Sequence, residues 1–394
     1  MALFWLALTA FAIGTEAFVI AGLLPVIAAD IHITVVTTGQ LVTAYAFTYA
    51  IGSPILAVLF NNLDRKLILL LALGCFIIGN LVAATADGFT ALLAARMLMA
   101  VGAGLAIPTS LAVAVAVASP DRRGRAVALV TSGLTVATAL GVPLGTLIGS
   151  SFGWRAAFVF VAALAFIALA GLAFGLPRGL PRTTASITQR LAVARHGTVL
   201  QTLAATTAWA AGVFTVYTYL AVPLHNIGLN AAAISFALLV FGIAAAFGNL
   251  AGGRWADRFG PTVVAVLALV QLIVVFTLQS VALKYASPDI AVIAMLTLIF
   301  LWGLAGWAFY PAQIVTLVRL TPEAPMIALS LNASALYFGI GLGGALGGGV
   351  LSVLRPSDLG WVSACCFSVA LAITLWRTAQ ERPKLHKIAV DEGV

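Results

Sequence analysis

The sequence predicts an all-α membrane protein with twelve transmembrane helices in two pseudo-symmetric six-helix bundles. Three observations carry that prediction. Of 394 residues, 62% are hydrophobic and only 8% are charged, whereas a soluble domain carries about a quarter charged residues. The apolar residues fall into twelve runs, each long enough for a bilayer crossing of roughly 20 residues. The two halves of the chain also repeat their landmarks at an offset near 200.

Composition excludes several classes. No single soluble core of this length could bury so much apolar surface. The net charge of +8 is no nucleic-acid footprint, because the few Lys and Arg sit between apolar runs. Cys75, Cys365 and Cys366 lie inside apolar stretches without metal-ligand spacing and read as packing residues. The first run reads as a retained helix rather than a cleaved signal.

Polar, Pro and Gly breaks place the spans at 3–28, 38–60, 66–86, 89–118, 125–151, 154–176, 198–225, 231–253, 261–284, 289–318, 326–354 and 359–378. With the N-terminus in the cytoplasm, sixteen of the 20 Lys and Arg fall on cytoplasmic segments and three on outer loops. That bias predicts both termini inside a bacterial plasma membrane. The longest polar stretch predicts a cytoplasmic linker at 177–197, between bundles at 1–176 and 198–380, with a tail at 381–394.

The repeat is seen in pairs. Pro25 matches Pro223, 198 later; Asp64-Arg65 matches Asp257-Arg258, 193 later; Pro108 matches Pro311, 203 later. Pro120-Asp121 matches Pro322-Glu323, 202 later, and Gly153-Trp154 matches Gly360-Trp361, 207 later. Five matches in one order imply duplication. Two parallel halves with a midplane site between them form a transporter architecture.

Four motifs share a resemblance. Span eight ends in Gly252-Gly253-Arg254-Trp255-Ala256-Asp257-Arg258, and the first-half loop keeps Asp64-Arg65-Lys66 without the glycines. Span five carries Gly133, Ala137, Gly141, Gly145 and Gly149, and within it Gly141-Val142-Pro143-Leu144-Gly145. Span eleven has a similar stripe at Gly339, Gly343 and Gly347. Span four carries Arg96 followed by Gly102 and Gly104; span one carries Gly14-Thr15-Glu16 and then Gly22-Leu23-Leu24-Pro25. Together these resemble the major facilitator superfamily, in particular its twelve-helix drug:proton antiporters and sugar-efflux exporters. The resemblance implies gating or structural roles for Asp64, Arg65, Gly141, Pro143, Gly145, Gly253, Asp257 and Arg258, and a link between Arg96 and proton coupling. Small residues every fourth position also serve simple helix packing, and the two readings are compatible.

Glu16 and Arg96 are the only formal charges that sequence reasoning places in the hydrocarbon. A charge there costs at least roughly 2.5–3.5 kcal/mol on insertion scales. Burial penalises a charged carboxylate and a nearby arginine favours it. A carboxyl balanced between the two can bind and release a proton, so Glu16 and Arg96 are the candidate proton-coupling pair. The plainer alternative is a static pair that locks helices together. Arg96 sits nearer the outer end of its helix, so contact would need its long side chain to reach inward.

The resemblance also implies that the helices carrying Tyr45, Tyr49, Tyr217, Asn332 and Tyr337 belong to the superfamily's inward-facing set, which makes these the candidate substrate-binding residues. An amide such as Asn332 would be unsatisfied in lipid and should face protein or water. Such a cavity suits neutral or weakly charged amphipathic molecules. The expected function is proton-coupled efflux of small organic molecules or drugs by alternating access. Sugar or nucleoside efflux, and uncoupled facilitation, stand as alternatives. No nucleophile–base pair, metal cluster, cofactor motif or nucleotide loop appears, so neither an enzyme nor an ATP-driven pump is expected. The expected partners are substrate, protons and lipid, with no nucleic acid, around a monomer.

Overall fold

The computed structural model describes residues 2–119, 122–177, 179–180, 192–193 and 195–391, with side chains described as far as Gln380. Every regular element among them is helical. Among the described residues, twelve helices are long and apolar enough to cross a membrane. They are α1 Ala2–Asp30, α2 Val35–Leu59, α3 Arg65–Ala84, α4 Phe89–Val117, α5 Arg123–Phe152 and α6 Trp154–Gly175. The second set is α7 Gly197–Asn226, α8 Ala231–Phe259, α9 Pro261–Tyr285, α10 Pro288–Leu320, α11 Pro325–Val353 and α12 Pro356–Gln380. All twelve expected spans are present. The last helix runs past its expected end at 378, as far as Asp391. Most of the expected linker, including 181–191, lies outside the described residues.

The helix ends follow local chemistry. Thr34, Asp64 and Asn230 cap α2, α3 and α8 with side-chain oxygens, each satisfying an amide the first turn leaves unpaired. Proline opens α9, α10 and α11, where its missing N–H is no loss. Gly153 and Gly260 take φ of 88° and 89°, which suits glycine at the sharp turns α5–α6 and α8–α9.

Two helices are irregular. Within α5, residues Ala137–Gly141 form a π turn directly before Val142 and Pro143. Pro143 cannot donate to the turn below it and its ring crowds that turn; the wider winding accommodates both. In α7, the α-helix stops at Tyr217 and restarts at Ala221.

Packing repeats after six helices. In the first set α1 packs on α5 and α6, α2 on α4, and α3 on α4 and α6. In the second set α7 packs on α11 and α12, α8 on α10, and α9 on α10 and α12. The sets meet mainly through α2 on α11 and α5 on α8, pairs that exchange under the same six-helix shift. Close approach at these seams needs small residues. A Cβ at Gly242 of α8 would meet Ala139 Cα of α5 at 2.5 Å, and one at Gly341 of α11 would meet Phe47 Cε1 of α2 at 2.8 Å.

Candidate transport site at the junction of the helix sets

Glu16 of α1 and Arg96 of α4 form an ion pair, and neither side chain has any exposure. The contact lies within the first helix set. The Arg96 guanidinium also lies 4.4 Å from the ring centroid of Tyr45, a cation–π contact of the kind that strengthens when desolvated. The pair is poorly supported otherwise. Among the described residues, Glu16 Oε2, Arg96 Nε and Nη2 and the Tyr45 hydroxyl have no hydrogen-bond partner. Burying an ion costs several kcal/mol, and the pair recovers it only when the remaining lone pairs and protons are satisfied. Among the described residues the pair is therefore under-satisfied for its burial.

The tyrosines extend from this pair across the seam. Tyr45 and Tyr49 of α2 are buried at 2% and 1% exposure. Tyr337 of α11 stacks on Tyr49 with centroids 3.6 Å apart and planes 19° apart, and its centroid is 6.4 Å from that of Tyr45. One of the two main contacts between the helix sets thus runs through aromatic faces beside the ion pair. Tyr217 of α7 lies in a second aromatic group. It meets Phe18 of α1 at 6.1 Å, Phe241 of α8 at 5.3 Å and Trp302 of α10 at 6.0 Å. Phe18, two residues beyond Glu16, carries the contact to α7.

Asn332 of α11 is buried, and its Oδ1 accepts from the Thr206 hydroxyl of α7 at 2.9 Å. Sequence reasoning missed what lies behind it. Arg377, expected in a cytoplasmic segment, is 2% exposed near the end of the apolar part of α12 and donates to Thr202 Oγ1 at 2.9 Å. Thr202 and Thr206 are one turn apart on α7, and Thr206 also reaches the Thr202 carbonyl at 3.2 Å. A polar chain therefore runs Arg377–Thr202–Thr206–Asn332 through the second set. The signal in the sequence was the i, i+4 threonine pair, one of several polar positions in a span that also carries Thr198, Gln201, Thr207 and Thr215. Nothing there paired it with an arginine 175 residues away.

The glycine motif of α5 faces α1. A Cβ at Gly145 would meet Val19 Cγ2 at 2.6 Å, and one at Gly141 would meet Thr15 Oγ1 still more closely and Thr15 Cβ at 3.0 Å. Thr15 adjoins Glu16, so this seam sets the placement of the carboxyl. The α11 stripe faces α7 in the same way, where a Cβ at Gly343 would meet the Ala211 carbonyl at 2.6 Å.

On the face where α1 begins, the two loop motifs differ. Asp64 Oδ1 accepts from the Lys66 amide and Oδ2 from the Gly179 amide, both at 2.8 Å. Arg65 donates to the Ala112 carbonyl of α4 at 2.9 Å, and Lys66 Nζ to the Leu176 carbonyl at 2.7 Å. The slight burial of Asp64 pushes its carboxyl up, but the amides of Gly179, Lys66, Leu67 and Leu180 together outweigh it and hold the carboxyl below its usual range. The glycine-poor motif thus ties α3, α4 and the end of α6 together through hydrogen bonds to backbone groups. In the second half Asp257 and Arg258 are exposed, and neither joins an ion pair among the described residues. Arg258 lies 5.4 Å from the Phe259 ring centroid, and space is open beside Gly253.

Twelve apolar helices whose packing repeats after six, with a buried ion pair beside the seam, define a polytopic membrane transporter. The chain belongs to the Major Facilitator Superfamily, whose family model matches residues 6–226 and again 202–393. It is 33% identical to an uncharacterized transporter of this type, YbcL of Bacillus subtilis, over 94% of each chain. It is 32% identical to a chloramphenicol resistance protein of Streptomyces lividans, again over 94% of each. Among solved structures it resembles a D-xylose–proton symporter with a TM-score of 0.78 over 95% of this chain and 96% of that one. At 17% identity that likeness shows the fold alone. Among the described residues no group of His, Cys, Asp and Glu could hold a metal ion.

Proposed function

We propose that this transporter exports small, neutral or weakly charged amphipathic molecules in exchange for protons. The buried, under-satisfied Glu16–Arg96 pair carries the proposal. In the paired state Glu16 is an ionised carboxylate held by Arg96. Protonation removes its charge and releases the guanidinium. Arg96, already over the Tyr45 ring, is then free to turn further toward Tyr337, and so toward the α2–α11 contact that joins the two sets. Proton binding thereby alters the contact along which alternating access must rock the sets, taken as 1–176 and 198–380.

Substrate class follows from the surroundings. The acid is already neutralised by the arginine, and the neighbouring groups are phenols, indoles and one amide. Tyr45, Tyr49, Tyr337 and Asn332 supply stacking faces and hydrogen bonds without net charge, which fits the chemistry of apolar pockets with a few placed polar groups. Similarity to a chloramphenicol resistance protein supports the export direction and makes chloramphenicol the first probe. The basic residues support cytoplasmic termini in a bacterial inner membrane.

Proteoliposomes test this. Chloramphenicol movement should accelerate under an imposed pH gradient, and Glu16→Gln should abolish the acceleration. Gradient-driven movement of equal rate in the variant would sink the role of Glu16. Chloramphenicol indifference in the wild type, with another amphipathic solute driven, would reject the probe and keep the coupling.

A further inference from the structure

A second site lies on the face where the chain begins. The end of α4 and the start of α5 enclose a cleft of about 480 Å³ with the first turn of α1. Its rim is Arg122 and Arg125, both exposed, and its floor is Leu3, Val117 and Leu129. Among the described residues neither guanidinium has an ion-pair partner. Because α5, a helix long and apolar enough to cross a membrane, begins at Arg123, both groups stand at the end of that candidate span.

The floor continues down the helix. Leu129, Val136, Leu140, Leu144 and Leu147 are 41–50% exposed and recur at seven, four, four and three residues. That spacing keeps them on one side of α5. An apolar track as long as an acyl chain thus begins directly beneath two cations. A soluble anion would use the rim and leave the track unused. A zwitterionic lipid would cover the track but bring its own cation to the rim.

We propose that this cleft holds an anionic phospholipid, its phosphate between Arg122 and Arg125 and one acyl chain along α5. Basic pockets between membrane helices bind anionic headgroups in this way, each cation contributing on the order of 1 kcal/mol. The track lies on the exposed side of the same helix whose Gly141 and Gly145 pack against α1.

Native mass spectrometry of the full chain tests it, after delipidation and titration with phosphatidylglycerol or phosphatidylethanolamine of matched acyl chains. The wild type should retain phosphatidylglycerol about tenfold better or more. Arg122→Gln with Arg125→Gln should weaken its binding about thirtyfold, and each single change about fivefold. The Lys pair at the same positions should keep the preference. Arg123→Gln removes the same charge one residue from the rim and should change binding less than about twofold. Millimolar inorganic phosphate should not displace the lipid. Equal retention of both lipids overturns the proposal, as does an Arg123→Gln loss matching the pair's, or displacement by phosphate. If the double Gln variant does not fold, the two single variants decide. The measurement needs no transported substrate, so it stands apart from the assignment of proton-coupled export.

Discussion

Removing one member of the Glu16–Arg96 pair should harm the protein more than removing both. Both groups are fully buried, and deleting one partner of a buried pair leaves an uncompensated charge worth about 3–5 kcal/mol. Glu16→Gln leaves Arg96 charged, because a guanidinium cannot discharge. Arg96→Gln leaves a carboxylate that can take up a proton, so its loss should be the smaller. The double variant leaves no charge and should recover most of the deficit. An unfolding entropy of about 2.1 cal/mol/K per residue over 394 residues gives about 0.8 kcal/mol/K. The single Glu16→Gln change should then lower the melting temperature by about 4–6 °C. Thermal unfolding in detergent, followed by the fluorescence of the eight tryptophans, supplies the four values of a double-mutant cycle. A double variant whose loss equals the sum of the single losses would refute the coupling on which the mechanism rests.

Other outcomes follow from single contacts. Gly145→Ala places a methyl 2.6 Å from Val19 Cγ2 and should cost about 1–3 kcal/mol through overpacking, read as a lower melting temperature with a larger loss of transport. Asp64 is held below its ordinary range, so its contribution is present above the unfolded value of 3.8 and is lost as the pH falls through the lower folded value. The stability gap between wild type and Asp64→Asn, measured by thermal unfolding from pH 7 to pH 3, should therefore close at the acid end; a gap that widens there would contradict the assignment. Thr206→Val cuts the bond to Asn332 and should raise the transport KM with little change in maximal rate, while Thr206→Ser restores it. Asn332→Ala combined with Thr206→Val should be no worse than Asn332→Ala alone, since the threonine acts through the amide.

The helices were legible because hydrocarbon imposes length and apolarity on each span, and the packing pairs repeat as the landmark residues do. Glu16 and Arg96 were legible as rarities, since a charge in hydrocarbon needs a reason. Their contact was not, because it depends on how α1 and α4 are rotated, and neither helix has a strong polar face to set that rotation. The π turn at Ala137–Gly141 was hidden for a similar reason: Pro143 announces an irregularity but not its form. Arg377 sat beside polar residues and read as a cytoplasmic charge, yet α12 carries it into the second set against Thr202. The two Asp-Arg motifs looked like a degenerate copy and a full one. The degenerate copy makes the hydrogen bonds, because its partners are backbone groups whose placement no motif records.

The most direct test of the central claim is the proton flux that accompanies substrate. Proteoliposomes loaded with a pH-sensitive dye and held without an imposed gradient would receive chloramphenicol from one side. The wild type should shift internal pH in step with substrate movement, and Glu16→Gln should carry substrate down its own gradient with no pH change. Substrate movement without a pH change in the wild type, or an unaltered pH change in Glu16→Gln, would contradict the account.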